Sequence, residues 1–92
     1  MKEEYSFEWD EQKSISNGRK HGVLFQEALN IWDDPMFVEV HLVSETEDRW
    51  VVIGRVAKQR HLTAIITYRE DVVRIISVRK STKKEVDFYE QN

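Results

Sequence analysis

The chain has 92 residues, of which 40% are hydrophobic, with 14 Lys or Arg, 17 Asp or Glu and no cysteine. That is enough for one compact core and too little for two, so any active site must share the core of a single domain spanning 1–92. Disulfides, zinc–thiolate sites and cysteine nucleophiles are excluded, and the net charge of −3 argues mildly against a nucleic-acid surface of the usual basic kind.

The N-terminal "MKEEYSFEWD" is acidic where a secretory signal would be basic and then apolar, and no run of about 18 apolar residues follows it. The expectation is a soluble, unexported, cytoplasmic protein with no membrane contact. Tyr5 to Trp9 is a short extended piece that leaves room for an extra N-terminal strand. Asp10 stands where it caps a helix from Glu11 to about Arg19, and Gly22 where it closes that helix. Phe25, Leu29 and Trp32 then recur at helical spacing, with Ala28 and Ile31 beside them. This second helix must stop before Asp33-Asp34-Pro35, because the residue preceding a proline is pushed out of the α region. Phe25, Trp32 and Trp9 read as core, while Trp50 reads either way.

From Met36 the pattern switches to β-branched and aromatic runs, "MFVEVHLV", "RWVVIGRVA", "HLTAIITYR" and "VVRIISVRK", separated by short polar turns. None of those turns is long enough for a helical crossover, so the four strands form an antiparallel meander. A last short helix, about Thr82 to Tyr89, lays Val86 and Tyr89 on one stripe. The fold class is therefore α+β: two N-terminal helices and a short C-terminal helix packed on a four-stranded antiparallel meander sheet. If Glu70-Asp71 is a two-residue hairpin loop, Arg69 pairs with Val72, Thr67 with Arg74, Ile65 with Ile76 and Leu62 with Arg79. That register puts Arg69 and Arg74 on the more open face and Arg79 on the packed face; a bulge would reverse the sorting.

Charge divides the chain unevenly. Residues 1–54 carry 5 basic and 12 acidic residues, residues 55–84 carry 9 basic and 2 acidic, and residues 85–92 add three acids. The halves either neutralise each other in the fold, or present a basic surface to a polyanion and an acidic one to a basic partner. No phosphate loop, dinucleotide fingerprint, nucleophile elbow or His-Glu-x-x-His pair is present. His21, His41 and His61 fall on a turn, a strand and a strand start without ligand spacing, so no metal and no cofactor is expected. A cationic set remains. Arg69 and Arg74, with Lys20 and His21 if the first inter-helix turn folds onto that edge, offer guanidiniums for phosphate oxygens and an imidazole that moves protons near neutral pH. Those are the needs of metal-independent RNA cleavage: a base for the 2′-hydroxyl, an acid for the leaving oxygen, and positive charge for the phosphorane. The competing reading pairs the arginines with acidic residues and leaves Lys20 and His21 to cap the helix dipole.

In order along the chain stand "FEWDEQK", "NGRKHGVLFQEALNIWDDP", "EDRWVVIG" and "RIISVRKSTKKE", with Tyr89 following. This series, from Phe7 to Tyr89, resembles the BrnT family of bacterial type II toxins. The resemblance implies a fold similar to RelE-type toxins and a ribonuclease that arrests growth. It also implies inhibition by a BrnA-like ribbon-helix-helix antitoxin in a hetero-oligomer that reaches DNA only through the antitoxin. It marks Lys20, His21, Arg74, Arg79, Glu85 and Tyr89 as catalytic, with Arg69 and Lys80 as substrate-binding. The chain departs from the family pattern at Leu24, at Val78, and at Val86, where an arginine usually follows the glutamate. The alternative is a non-enzymatic, toxin-like module that only partners a DNA-binding antitoxin in autoregulation.

Overall fold

The computed structural model describes residues 4–92, and its first helix forms where the capping residues predict it. In α1 (Glu11–His21) the Asp10 carboxylate accepts from the Gln12 and Lys13 amides, and Gly22 ends the helix at φ 73°, left-handed backbone that glycine adopts without penalty. The helix continues past Arg19, so Lys20 and His21 form its last turn. Its inward face is polar. Asn17 Nδ2 donates to the Val23 and Val78 carbonyls at 2.8 and 2.7 Å, and Ser14 Oγ accepts from the Phe25 amide at 2.9 Å. Each such buried group would cost about 1–3 kcal/mol if left unpaired, so these bonds fix where the end of α1 sits.

The second predicted helix is split. One α turn, α2 (Phe25–Ala28), tightens into a 3₁₀ helix, Leu29–Asp33. The 3₁₀ helix crosses the sheet at Gly54, where an added Cβ would stand 2.8 Å from Ile31 Cγ2 and 3.2 Å from Ile31 Cα. Phe25, Ala28, Ile31 and Trp32 are buried there against Val52, Leu62, Ala64, Ile66, Val73, Ile75 and Val78. Full burial of each large side chain contributes about 1.5–3 kcal/mol.

The sheet has five strands and is mixed, which corrects the four-stranded antiparallel meander. The strands are β1 (Ser6–Glu8), β2 (Val38–Leu42), β3 (Arg49–Ala57), β4 (Arg60–Arg69) and β5 (Val72–Lys80), in the order β1-β5-β4-β3-β2. β2 to β5 form the expected meander, and the extended N-terminal piece adds β1 parallel to β5. Phe7 packs edge-on to Trp32 at 5.0 Å, so the contact that recruits β1 joins distant parts of the chain.

The β4–β5 hairpin has the two-residue turn Glu70-Asp71, with Glu70 at φ 57°. Arg69 pairs with Val72 and Thr67 with Arg74 as expected, but a bulge follows Ile66–Ile75. Ile65 then meets Ser77, Ala64 meets Val78, Thr63 meets Arg79 and Leu62 meets Lys80. The extra residue turns Val78 into the core and swings Arg79 off the packed face onto the one that carries Arg74, correcting the predicted sorting. α3 (Lys83–Glu90) lies on that second face: Glu85 reaches Thr63 and Arg79, and Phe88 shares an apolar groove with Val40, Val51 and Ile53. The helices therefore cover both faces of the sheet rather than one.

Candidate active site

The sequence-predicted residues separate into distinct groups. At the β4–β5 turn end of the α3 face, Arg74 Nη1 donates to Glu8 Oε2 at 2.9 Å, and Arg69 Nη1 lies 4.0 Å from the same oxygen. The parallel pairing of β1 sets Glu8 opposite Arg74, so one carboxylate faces both guanidiniums.

Arg79 pairs with Thr63 where Arg74 pairs with Thr67, about 13 Å apart at the rise of a strand. It forms a bidentate pair with Glu85, both bonds at 2.7 Å. Glu85 Oε1 also accepts from Thr63 Oγ1 at 3.0 Å and from the Thr82 amide at 2.8 Å, while Thr82 Oγ1 accepts from the Glu85 amide at 3.2 Å. That reciprocal pair is a capping box at the start of α3. The bond from Arg79 is the main cause that brings the Glu85 carboxyl down to about 2, against the upward push of partial burial. Glu85 raises Arg79 in return. A carboxylate so acidic takes protons poorly at neutral pH, and its geometry suits it to holding the guanidinium fork.

His21 lines a cleft of about 590 Å³ together with Gln59, Arg60, His61, Lys80, Ser81 and Val86. The cleft crosses the end of the sheet, between the last turn of α1, the β3–β4 turn, the end of β5 and the first turn of α3. Lys20, also exposed, faces a neighbouring depression with Lys13, Ser16, Ile76 and Ser77. The expected approach of Lys20 and His21 to Arg69 and Arg74 does not occur. Asn17 ties α1 to Val78, near the end of β5, whereas Arg69 and Arg74 flank the opposite end of the hairpin.

Tyr89 projects from α3 toward the same end of the sheet. Its hydroxyl donates to Asp34 Oδ2 at 2.6 Å, and its ring stands edge-on to His61 with centroids 4.9 Å apart and planes at 71°. The buried Asp34 also accepts from the Arg55 and Met36 amides, each at 2.8 Å. Burial would raise Asp34, but the Tyr89 hydroxyl and the two amides outweigh it and hold the carboxyl below its ordinary value. Burial first, and then Asp34, push the Tyr89 hydroxyl up to about 12.

Arg60, Thr63 and Ser81 carry no sequence signal for a site, Asp34 shows there only as part of a helix stop, and His61 only as a histidine without ligand spacing. A Thr-x-x-Glu spacing at Thr82 and Glu85 was available to announce the capping box. His61 had no local partner to mark it, because its neighbours come from α1, β5 and α3. Among the described residues no three of His, Asp and Glu gather closely enough to hold a metal ion, and no helix is long and apolar enough to cross a membrane.

The fold sets the class: a small α+β domain of the kind seen in the 1.1 Å crystal structure of the Brucella abortus ribonuclease toxin BrnT. The likeness has a TM-score of 0.64 at 20% identity and covers 86% of this chain and 99% of that one. The model of the family described as the ribonuclease toxin, BrnT, of type II toxin-antitoxin systems matches residues 9–85, and the chain belongs to that family. Membership in a two-component system implies an antitoxin partner. No curated protein matches the chain.

Proposed function

We propose that this chain is the toxin of a type II pair, a single-domain cytoplasmic endoribonuclease that cuts RNA without a metal. Growth stops until a BrnA-like ribbon-helix-helix antitoxin binds the toxin in a hetero-oligomer, through which alone it reaches DNA. One observation carries the reading: His21 and Lys80 line the end cleft, and the Ser81–Thr63 hydrogen bond of 2.7 Å joins that cleft to the Arg79–Glu85 pair. A proton carrier and fixed positive charge thus stand together. The 2′-hydroxyl attacks the adjacent phosphorus, the bond to the 5′ oxygen breaks, and the cations stabilise the charge that builds on the phosphorane.

In this reading His21 moves a proton, Arg79 and Lys80 face the phosphate, and Glu85 keeps the Arg79 fork in place. Tyr89 orients rather than ionises, because its hydroxyl is engaged by Asp34. Lys20 lines the neighbouring depression, and Arg69 and Arg74 extend the basic track on the α3 face. The test is expression alone and together with the antitoxin. Alone, the chain should arrest growth and leave RNA fragments with 2′,3′-cyclic phosphate and 5′-hydroxyl ends, in extracts containing EDTA as well. His21→Gln and Arg79→Ala should each lower cleavage about 100-fold or more while circular dichroism shows the fold retained. Intact RNA in arrested cells would remove the ribonuclease assignment.

A further inference from the structure

Internal transesterification needs two proton carriers, one to take the 2′-hydroxyl proton and one to give a proton to the 5′ oxygen. Among the sequence-predicted groups His21 alone fills such a role in the cleft. Glu85 is bound on both oxygens by Arg79, the Tyr89 hydroxyl is spent on Asp34, and Lys20 faces the neighbouring depression. A second imidazole lines the same cleft. His61 follows Arg60 at the start of β4, and its register places it on the α3 face with Thr63, whereas His21 arrives with α1 from the other face. The two imidazoles therefore enter from opposite sides of the sheet end, as attack and departure on opposite sides of one phosphorus require.

The His61 ring is held rather than loose. Tyr89 stands edge-on against it, with the Tyr89 hydroxyl anchored to Asp34, and the His61 carbonyl accepts from the Ser81 amide at 3.0 Å. Cationic groups flank the site. Arg60 and Lys80 line the cleft, and Arg60 Nε is a buried donor with no hydrogen-bond partner among the described residues.

We propose that His61 is a catalytic residue, the second proton carrier of the end cleft, acting with His21 on one RNA phosphodiester and aligned by Tyr89 and Asp34; this rests on the ribonuclease reading above. The neutral imidazole accepts the 2′-hydroxyl proton as the O2′–P bond forms. The protonated imidazole gives its proton to the 5′ oxygen as the P–O5′ bond breaks. The products are a 2′,3′-cyclic phosphate and a 5′-hydroxyl, and the two imidazoles end with exchanged protonation that water restores. The charged and titratable groups around His61 are Arg55 across β3, Arg60 beside it with the Glu27 carboxylate of α2 3.7 Å from its guanidinium, His21 from α1, Lys80 from β5, Tyr89 from α3 and Asp34 behind Tyr89.

The experiment follows kcat/KM against pH on a short RNA oligonucleotide for the wild type, His61→Gln, His61→Asn and Tyr89→Phe, with thermal melts to verify folding. The wild type should give a bell. Both His61 variants should fall about 100-fold and lose one limb of it, and Tyr89→Phe should fall less and keep both limbs. An oligonucleotide carrying a 2′-deoxy sugar at the cleavage position, which binds without reacting, should shift the imidazole resonances of both His21 and His61. Folded His61 variants that keep both limbs overturn the proposal, whatever their rate, while leaving the ribonuclease reading intact. A wild-type chain that cuts no RNA overturns both.

Discussion

The two faces of the sheet are built by different physics. Under α1, α2 and the 3₁₀ helix, Phe25, Ala28, Ile31 and Trp32 are at most 2% exposed. On the other face α3 buries no residue fully and is held by two polar anchors, Glu85 to Arg79 and Tyr89 to Asp34. The first face supplies stability through close packing, which tolerates little change. The second keeps its arginines partly in water, where they remain able to meet a ligand. A domain this small divides the labour between faces because one core cannot also be a charged site.

The contrast is sharpest for Trp32→Ala, which should cost about 3–5 kcal/mol in urea denaturation. A loss no larger than that of the α3 variants would erase the distinction. Glu85→Gln comes next, at about 1–3 kcal/mol, because an amide carries no charge and cannot accept both bonds of the Arg79 fork. Its pH dependence has a definite sign. The folded Glu85 titrates at about 2, below its unfolded value, so its stabilisation is complete above the ordinary carboxylate range and fades as pH falls toward 2. The wild type should therefore lose more stability than the Glu85→Gln variant between about pH 5 and pH 2, as acid titration of the melting temperature will read. Tyr89→Phe should cost about 1 kcal/mol and speed amide exchange in α3 while leaving α1 unchanged. The exposed Lys83–Asp87 pair, 3.5 Å apart, should matter least: Lys83→Ala should change stability by no more than about 0.5 kcal/mol.

Much of the architecture was legible because it depends on neighbours in sequence. The Asp10 cap, the Gly22 stop, the Glu70-Asp71 turn and the β-rich runs are local signals, and Phe25 and Trp32 sit in the core as their spacing implied. Trp9 is only half buried, its indole N–H bonded to Glu11 at 3.0 Å. What escaped depends on distant partners: β1 beside β5, α3 on the opposite face, and the bulge between β4 and β5. The site divided in the same way. The Lys-His-Gly motif is plain in the sequence, but the cleft that joins His21 to Lys80 and His61 exists only after Asn17 has tied α1 to Val78. Asp34 looked like turn punctuation, and its contacts with Arg55 and Tyr89 come from β3 and α3.

The bulge after Ile75 is a change of parity. In an uninterrupted strand, residues five apart point in opposite directions, so Arg74 and Arg79 would be divided between faces. One unmatched residue converts that odd interval into an even one, aligning both guanidiniums while Val73, Ile75 and Val78 all reach the interior. Two arginines with four residues between them, both required on one surface of a strand, are thus a linear record of a bulge. Deleting Ile76 would leave an even interval in a regular strand, so both guanidiniums would keep their common face without the bulge.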